Sequence, residues 1–207
     1  MKTWSIVRMV RLACLVPVVL AMAPCGAQTP TYEWHTFFNP SETRGNNGSG
    51  KAVATDVHGN VYIAGITQTP AGFAPGSPIH AVEADPSGAV GFVMKLNSFG
   101  SLLWYSFYHV SSFSAIAVEA DGASLYLTGG GSFRNDGLPP PLYNGAPSDL
   151  DTPTFLLKLD SQGVYQWHTE YNRSNSGEDL AIDPTTHNIY ITGEARADWG
   201  GWPEAAL

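Results

Sequence analysis

The chain has 207 residues, of which 14% are charged and 12% aromatic, and its formal charge at pH 7 is −8. An acidic balance scattered along the chain repels phosphate backbones and anionic lipid heads, which argues against nucleic-acid and membrane-surface partners. Two cysteines, Cys14 and Cys25, both lie ahead of Gln28, so the rest of the chain has neither a disulfide framework nor thiolate chemistry.

The segment from Met1 to Ala27 reads as an export signal. Lys2, Arg8 and Arg11 supply a positive start, and Leu12 to Ala23 is an apolar run too short to span a bilayer comfortably. Cys25-Gly26-Ala27 fits a small-residue cleavage site, placing the mature start at Gln28. Acylation at Cys25 is the competing reading, and Pro24 directly before it disfavours that recognition. Loss of the three basic residues leaves 7 basic against 18 acidic, a formal charge of −11. The expected destination is the periplasm, the cell surface or the medium, with no membrane insertion once the signal is gone.

Residues 28–207 read as strands separated by turns. A tryptophan strand comes first, over 32–38 (Trp34-His35-Thr36-Phe37-Phe38). Two four-stranded units follow, over 51–108 and 113–171, and half of another over 179–207. In the second unit the strands are Ser114 to Glu119, Leu125 to Gly129, Phe155 to Asp160 and Val164 to Tyr171. They are rich in β-branched and aromatic residues, and connectors such as Asp160-Ser161-Gln162-Gly163 are dense in turn formers. No stretch beyond the signal has a helical period.

The units are copies of one another. Val61-Tyr62-Ile63-Ala64-Gly65 returns as Leu125-Tyr126-Leu127-Thr128-Gly129, and again as Ile189-Tyr190-Ile191-Thr192-Gly193. Phe92-Val93-Met94-Lys95-Leu96-Asn97 returns as Phe155-Leu156-Leu157-Lys158-Leu159-Asp160. A repeat of this length means that one supersecondary unit is reused. The Phe92 and Phe155 strands are apolar on both faces apart from one lysine, as strands sandwiched between neighbouring sheets require. Four such strands per repeat predict an all-β β-propeller with antiparallel blades every 63–64 residues. A β-sandwich also has many short strands, but gives no reason for a repeat.

The phrase Asp56-x-x-Gly59-Asn60-x-Tyr62-Ile63-x-Gly65, followed by Phe92-Val93-x-Lys95-Leu96-Asn97-x-x-Gly100, resembles the SBBP β-propeller repeat of bacterial exported proteins. The second copy keeps the skeleton and the third shows its first half. The resemblance implies a propeller fold and no catalytic residues to carry over. Two and a half blades and an orphan outer strand do not close a ring, so a fragment of a longer protein is expected, with self-association through open blade edges as its consequence.

In an up-and-down blade, the loops between strands two and three share one end with the blade connectors. Those are the long loops here, Ile66 to Val90, Gly130 to Pro153 and Asn39 to Gly50. Loops held on a rigid scaffold are where binding resides. Phe73, His80, Phe133, Tyr143, Asp149, Asp151, Trp199 and Trp202 are the candidate binding residues, for a protein, peptide or glycan. The same residues suit loops that pack on one another and cover blade ends.

No cofactor, metal site or catalytic residue is expected. Asp149 and Asp151 are two oxygen donors where calcium wants six to eight, and zinc lacks cysteine and spaced histidines. His35 and His168 share a strand position with Tyr105 and read as structural. Ser112, Ser114 and His109 lie close in sequence without marking a nucleophile. The alternative function is that of a propeller lyase, glycan hydrolase or quinoprotein-like oxidoreductase. Asp56, Glu119 and Asp183 would be its channel acids, and turn capping is their competing role.

Overall fold

The computed structural model describes residues 5–9, 32–37, 48–68, 70, 73–82, 89–133, 136–142, 153–171 and 174–195. The described residues are all-β. Four strands, β3 (Ser49–Thr55), β4 (Val61–Thr67), β5 (Val90–Leu96) and β6 (Leu102–Tyr108), form one antiparallel sheet in that order. A second sheet repeats the pattern with β7 (Val110–Val118), β8 (Ser124–Gly131), β9 (Thr154–Asp160) and β10 (Tyr165–Tyr171). The third repeat contributes a two-stranded antiparallel sheet, β11 (Ser174–Ile182) with β12 (Ile189–Ala195). The three sheets are units one, two and three.

The tryptophan strand β2 (Tyr32–Phe37) pairs antiparallel with β1 (Ser5–Met9). The sequence reading leaves β2 without neighbours and gives residues 5–9 to the export signal. Cleavage after Ala27 would take β1 away and open that edge of β2.

First strands begin earlier than the sequence pattern suggests. β3 starts at Ser49, β7 at Val110 and β11 at Ser174. Each carries register shifts, at Gly50/Ala52, at Val110/Ser112 and Phe113/Ala115, and at Ser174/Ser176 and Gly177/Asp179. A bulge inserts a residue and breaks the period-two alternation, so the beginning of the strand does not read as one. In consequence a single residue, His109, joins β6 to β7.

Sheets pack face to face. Strand β7 lies against β3, β4 and β5, and β11 against β7, β8 and β9. The core between units one and two takes Tyr62 and Val93 from one side and Leu125, Leu127, Phe155 and Leu157 from the other, with Phe113 of β7 between. Every residue of β5 is buried, Lys95 included, as its two-sided apolar pattern demands. A second cluster, around Phe92, Met94, Tyr105 and Phe107, covers the other face of unit one, and Trp34 of β2 packs on it.

The turns repeat as faithfully as the strands. Asn97 Oδ1 accepts from the backbone N–H groups of Phe99 and Ser101, both at 2.9 Å. Asp160 Oδ1 accepts in the same way from Gln162 and Val164, at 2.9 and 3.0 Å. These side chains substitute for a backbone partner, which is why Asn and Asp stand there.

Candidate functional site

The long loops return to the sheets they leave. In unit one the Ile79 N–H donates to Tyr105 O at 2.8 Å, and the Phe107 N–H to His80 O at 2.9 Å, along the outer edge of β6. In unit two the Leu142 N–H donates to His168 O at 2.8 Å. Leu142 stands one repeat on from Ile79, as His168 does from Tyr105. The loops therefore cover the outer edges, where unpaired backbone groups would otherwise be open to another chain.

Each loop also sends a phenylalanine inward. Phe73 is buried against Phe92, Tyr105 and Phe107, with ring centroids 4.8, 5.9 and 5.2 Å away. Phe133 is buried against Phe155 at 4.9 Å and His168 at 4.7 Å. Neither aromatic is available to a ligand, and both belong to the core. Tyr143, Asp149, Asp151, Trp199 and Trp202 lie outside the described residues. Of the described loop candidates, His80 is the one whose side chain reaches a polar cluster.

That cluster forms where His80, the one-residue joint at His109, and the second loop meet. Asp136, from a turn closed by its own N–H to Phe133 O at 3.2 Å, has a wholly buried side chain. Its carboxylate accepts from the His109 backbone N–H at 3.1 Å and stands 2.6 Å from His109 Nδ1. His80 Nε2 is 4.0 Å from Asp136 Oδ2, buried, and without a hydrogen-bond partner among the described residues. Its ring stacks on Tyr108 at 4.7 Å. Alongside, Glu170 accepts from Ser132 Oγ and from the Phe133 N–H, both at 3.0 Å, with His168 Nε2 4.0 Å away. His168 Nδ1 in turn lies 3.0 Å from the Tyr165 hydroxyl.

Burial sets the electrostatics. It lowers His80 below the usual imidazole range, with Asp136 pulling the other way and His109 adding to the lowering. It lowers His168 likewise, against Glu170 and Asp136. Asp136 is raised by the same desolvation, which outweighs the bonds from His109 and the two neighbouring imidazoles. Imidazoles biased towards neutral beside a buried carboxylate make a polar centre able to donate, accept or exchange a proton. Among the described residues no group of three His, Asp, Glu or Cys is placed to hold a metal ion.

Sequence reasoning treats His168 as structural and passes over Asp136 and Glu170. A signal was present. One repeat on, the pair Tyr105 and Phe107 of β6 becomes His168 and Glu170 of β10, an aromatic pair exchanged for an ionisable one inside a core. Ser112 and Ser114 lie within β7, on the strand that follows His109.

The three acids of the enzymatic alternative are engaged locally, two by turns and one by a strand tyrosine. Asp56 accepts from the N–H groups of His58 and Asn60, from Asn60 Nδ2 and from the Tyr62 hydroxyl, at 2.8–3.1 Å. Burial works against its charge, and those bonds overcome it and hold the carboxyl below the usual range. Glu119 accepts from the Tyr126 hydroxyl at 3.3 Å and faces His187 at 3.8 Å. Asp183 accepts from the N–H groups of Thr185 and Thr186, which lower it.

The chain matches no protein-family model, and no curated protein matches it significantly.

Proposed function

We propose that the chain is part of an exported β-propeller repeat protein that binds a protein, peptide or glycan through the long-loop end of its blades. The carrying observation is the exchange of Tyr105 and Phe107 for His168 and Glu170, with His80, His109 and Asp136 gathered beside them at that end. Packing alone is served by the aromatic pair. Burying ionisable groups costs desolvation that only their partners offset; fastening the loop accounts for Glu170, but not for His80 Nε2, buried beside Asp136 with no hydrogen-bond partner among the described residues. Next to the cluster stand two apolar side chains at equivalent loop positions, Ile79 and Leu142, 52% and 71% exposed. An apolar rim beside the partly exposed rings of His80 and His109, held in place by the buried Asp136, suits contact with a sugar face or a peptide side chain.

Scaffolding is the complementary part of the role. Repeated sheets with a shared core hold the loop end rigid, and the turns at the opposite end are short. The carboxylates of Asp56 and Asp183 cap those turns and that of Glu119 accepts from the Tyr126 hydroxyl, which favours the loop end as the place for recognition.

Glycan and peptide arrays probed with the wild-type chain and with His80→Ala provide the test. The expected result is a discrete set of wild-type ligands whose signal falls at least tenfold in the variant. Uniformly absent binding by the folded wild type, or ligands held equally by both proteins, would sink the reading.

A further inference from the structure

Strand β2 is joined to unit one, and unit one to unit two, by a contact in which a tryptophan seals the turn of the sheet that follows. Trp34 Nε1 donates to Ser98 O at 3.0 Å, and its ring lies over Gly100 of the β5–β6 turn. Trp104 Nε1 donates to Ser161 O at 3.2 Å, and its ring lies over Gly163 of the β9–β10 turn. A Cβ at Gly100 or Gly163 would come within 2.7–2.8 Å of the indole, and both glycines have φ near +80°, so only glycine fits the turn and the contact together.

The second of these contacts is reinforced. Lys95 Nζ donates to the same Ser161 carbonyl at 3.2 Å while sitting 4.8 Å from the centre of the Tyr62 ring. Tyr62 meets Trp104 edge-on at 6.3 Å. Tyr62, Lys95 and Trp104 are thus one recognition element, and all three are buried by the turn that they hold.

Unit two presents the same element. Lys158 Nζ lies 5.1 Å from the Tyr126 ring centre, and Tyr126 meets Trp167 at 6.1 Å. Strands β11 and β12 cover its inner part through Leu180, Ile182, Ile189 and Ile191. Its outer part differs from that of unit one. Trp167 and Lys158 are half-buried, and neither has a carbonyl acceptor among the described residues. Beside them β12 pairs with β11 alone among the described strands, and Tyr190, third in the series Tyr62, Tyr126, Tyr190, is 57% exposed.

We propose that Lys158 and Trp167, with the outer edge of β12, form a docking site for a β-hairpin of this repeat's own pattern. The occupant carries a Phe-x-x-Lys strand that pairs with β12, then an Asn/Asp-x-x-Gly turn. The turn's glycine seats under the Trp167 ring, and the carbonyl two residues before it accepts from Trp167 Nε1 and Lys158 Nζ. The hairpin's lysine then covers Tyr190 as Lys95 covers Tyr62. Two occupied copies of the contact in the same molecule identify the occupant, and the interface is continuous with the one that unit two already makes with β11 and β12 through Leu180, Ile182, Ile189 and Ile191.

A synthetic peptide of residues 153–171, which carries β9, its turn and β10, is the probe. It is labelled with fluorescein and titrated against the full chain by anisotropy. Saturable binding is expected, weakened at least tenfold by Trp167→Ala in the chain and by Gly163→Val in the peptide, and unchanged by Trp104→Phe in the chain, which removes the indole donor to Ser161 O and keeps a buried ring in place. Lys158→Ala, which removes one donor and leaves the packing in place, should weaken binding several-fold and serves if Trp167→Ala does not fold. No saturable binding, or equal affinity for wild type and Lys158→Ala, overturns the site. Binding lost with Trp104→Phe instead would mean that the peptide exchanges with the resident hairpin, and also overturns it. Any of these failures would leave the loop-end reading standing, since the two surfaces share no residue.

Discussion

The loop ends of units one and two are built to one plan and filled with different chemistry. In unit one a phenylalanine plug, Phe73, rests on Tyr105 and Phe107, and the three rings meet at tilted and edge-on angles. In unit two Phe133 takes the same place over Phe155, but the strand beneath it offers His168 and Glu170. Backbone support is retained, with Ile79 and Leu142 closing the edge in the same manner. The difference shows how a repeat acquires a site: the scaffold copy stays apolar, and its neighbour trades packing for a hydrogen-bonded carboxylate that fastens the loop by its backbone. Repetition supplies the control, because position and burial are held constant while the side chains change.

Removing the plugs gives the largest expected effect. Phe73→Ala should destabilise the chain by about 3–5 kcal/mol, the usual cost of deleting a buried aromatic, read from denaturant unfolding. Phe133→Ala should cost a similar amount. A loss below about 0.5 kcal/mol at Phe73, as for a surface site, would break the comparison by showing that the loop is not seated on the sheet.

Glu170 separates the two ends more sharply. Glu170→Ala strips the acceptor from the buried Phe133 N–H and from Ser132 Oγ and should cost about 1–3 kcal/mol. Glu170→Gln keeps an acceptor and should cost less. Equal losses for the two substitutions would mean that charge rather than loop fastening accounts for the carboxylate.

The smallest effect is on pH dependence. Burial lowers His80 and His168 below the ordinary value of 6.5. The unfolded chain therefore binds more protons than the folded one as pH falls through about 6.5, and folding loses stability there. Asp136 has the opposite sign in a different window. Its raised carboxyl holds a proton more readily when folded, so its contribution is present below the ordinary 3.8 and lost as pH rises above it. Thermal melts from pH 7 to 5 should thus fall in the wild type and flatten in His168→Tyr, which restores the residue of unit one. Identical slopes would remove His168 from the titrating cluster.

Much of the architecture follows from local chemistry that the repeat spells out. The strands β4, β5, β8 and β9 are readable because their apolar runs are bounded by Asn, Asp and Gly turns, and both the runs and the turns recur from one unit to the next. The two-sided burial of β5 is implied by Phe92-Val93-Met94-Lys95-Leu96, since a strand exposed on one face would alternate. Periodicity hides the early parts of β3, β7 and β11, because bulges shift the register where the strands begin.

The candidate site was legible only in part. His80 stands out as a loop histidine, and Phe73 and Phe133 as loop aromatics, but nothing local distinguishes a ring turned to solvent from one driven into a core. The partners of Asp136 are His109, at the joint between sheets, and His80, in the loop of the preceding unit, and a pattern of strands and turns does not encode which loop lies over which joint. The repeat by itself determined the sheets, because backbone pairing and alternation are local and repeated. Only the tertiary structure decided which side chains share a buried volume, because that depends on how the loops fold back over the sheets and how the sheets stack.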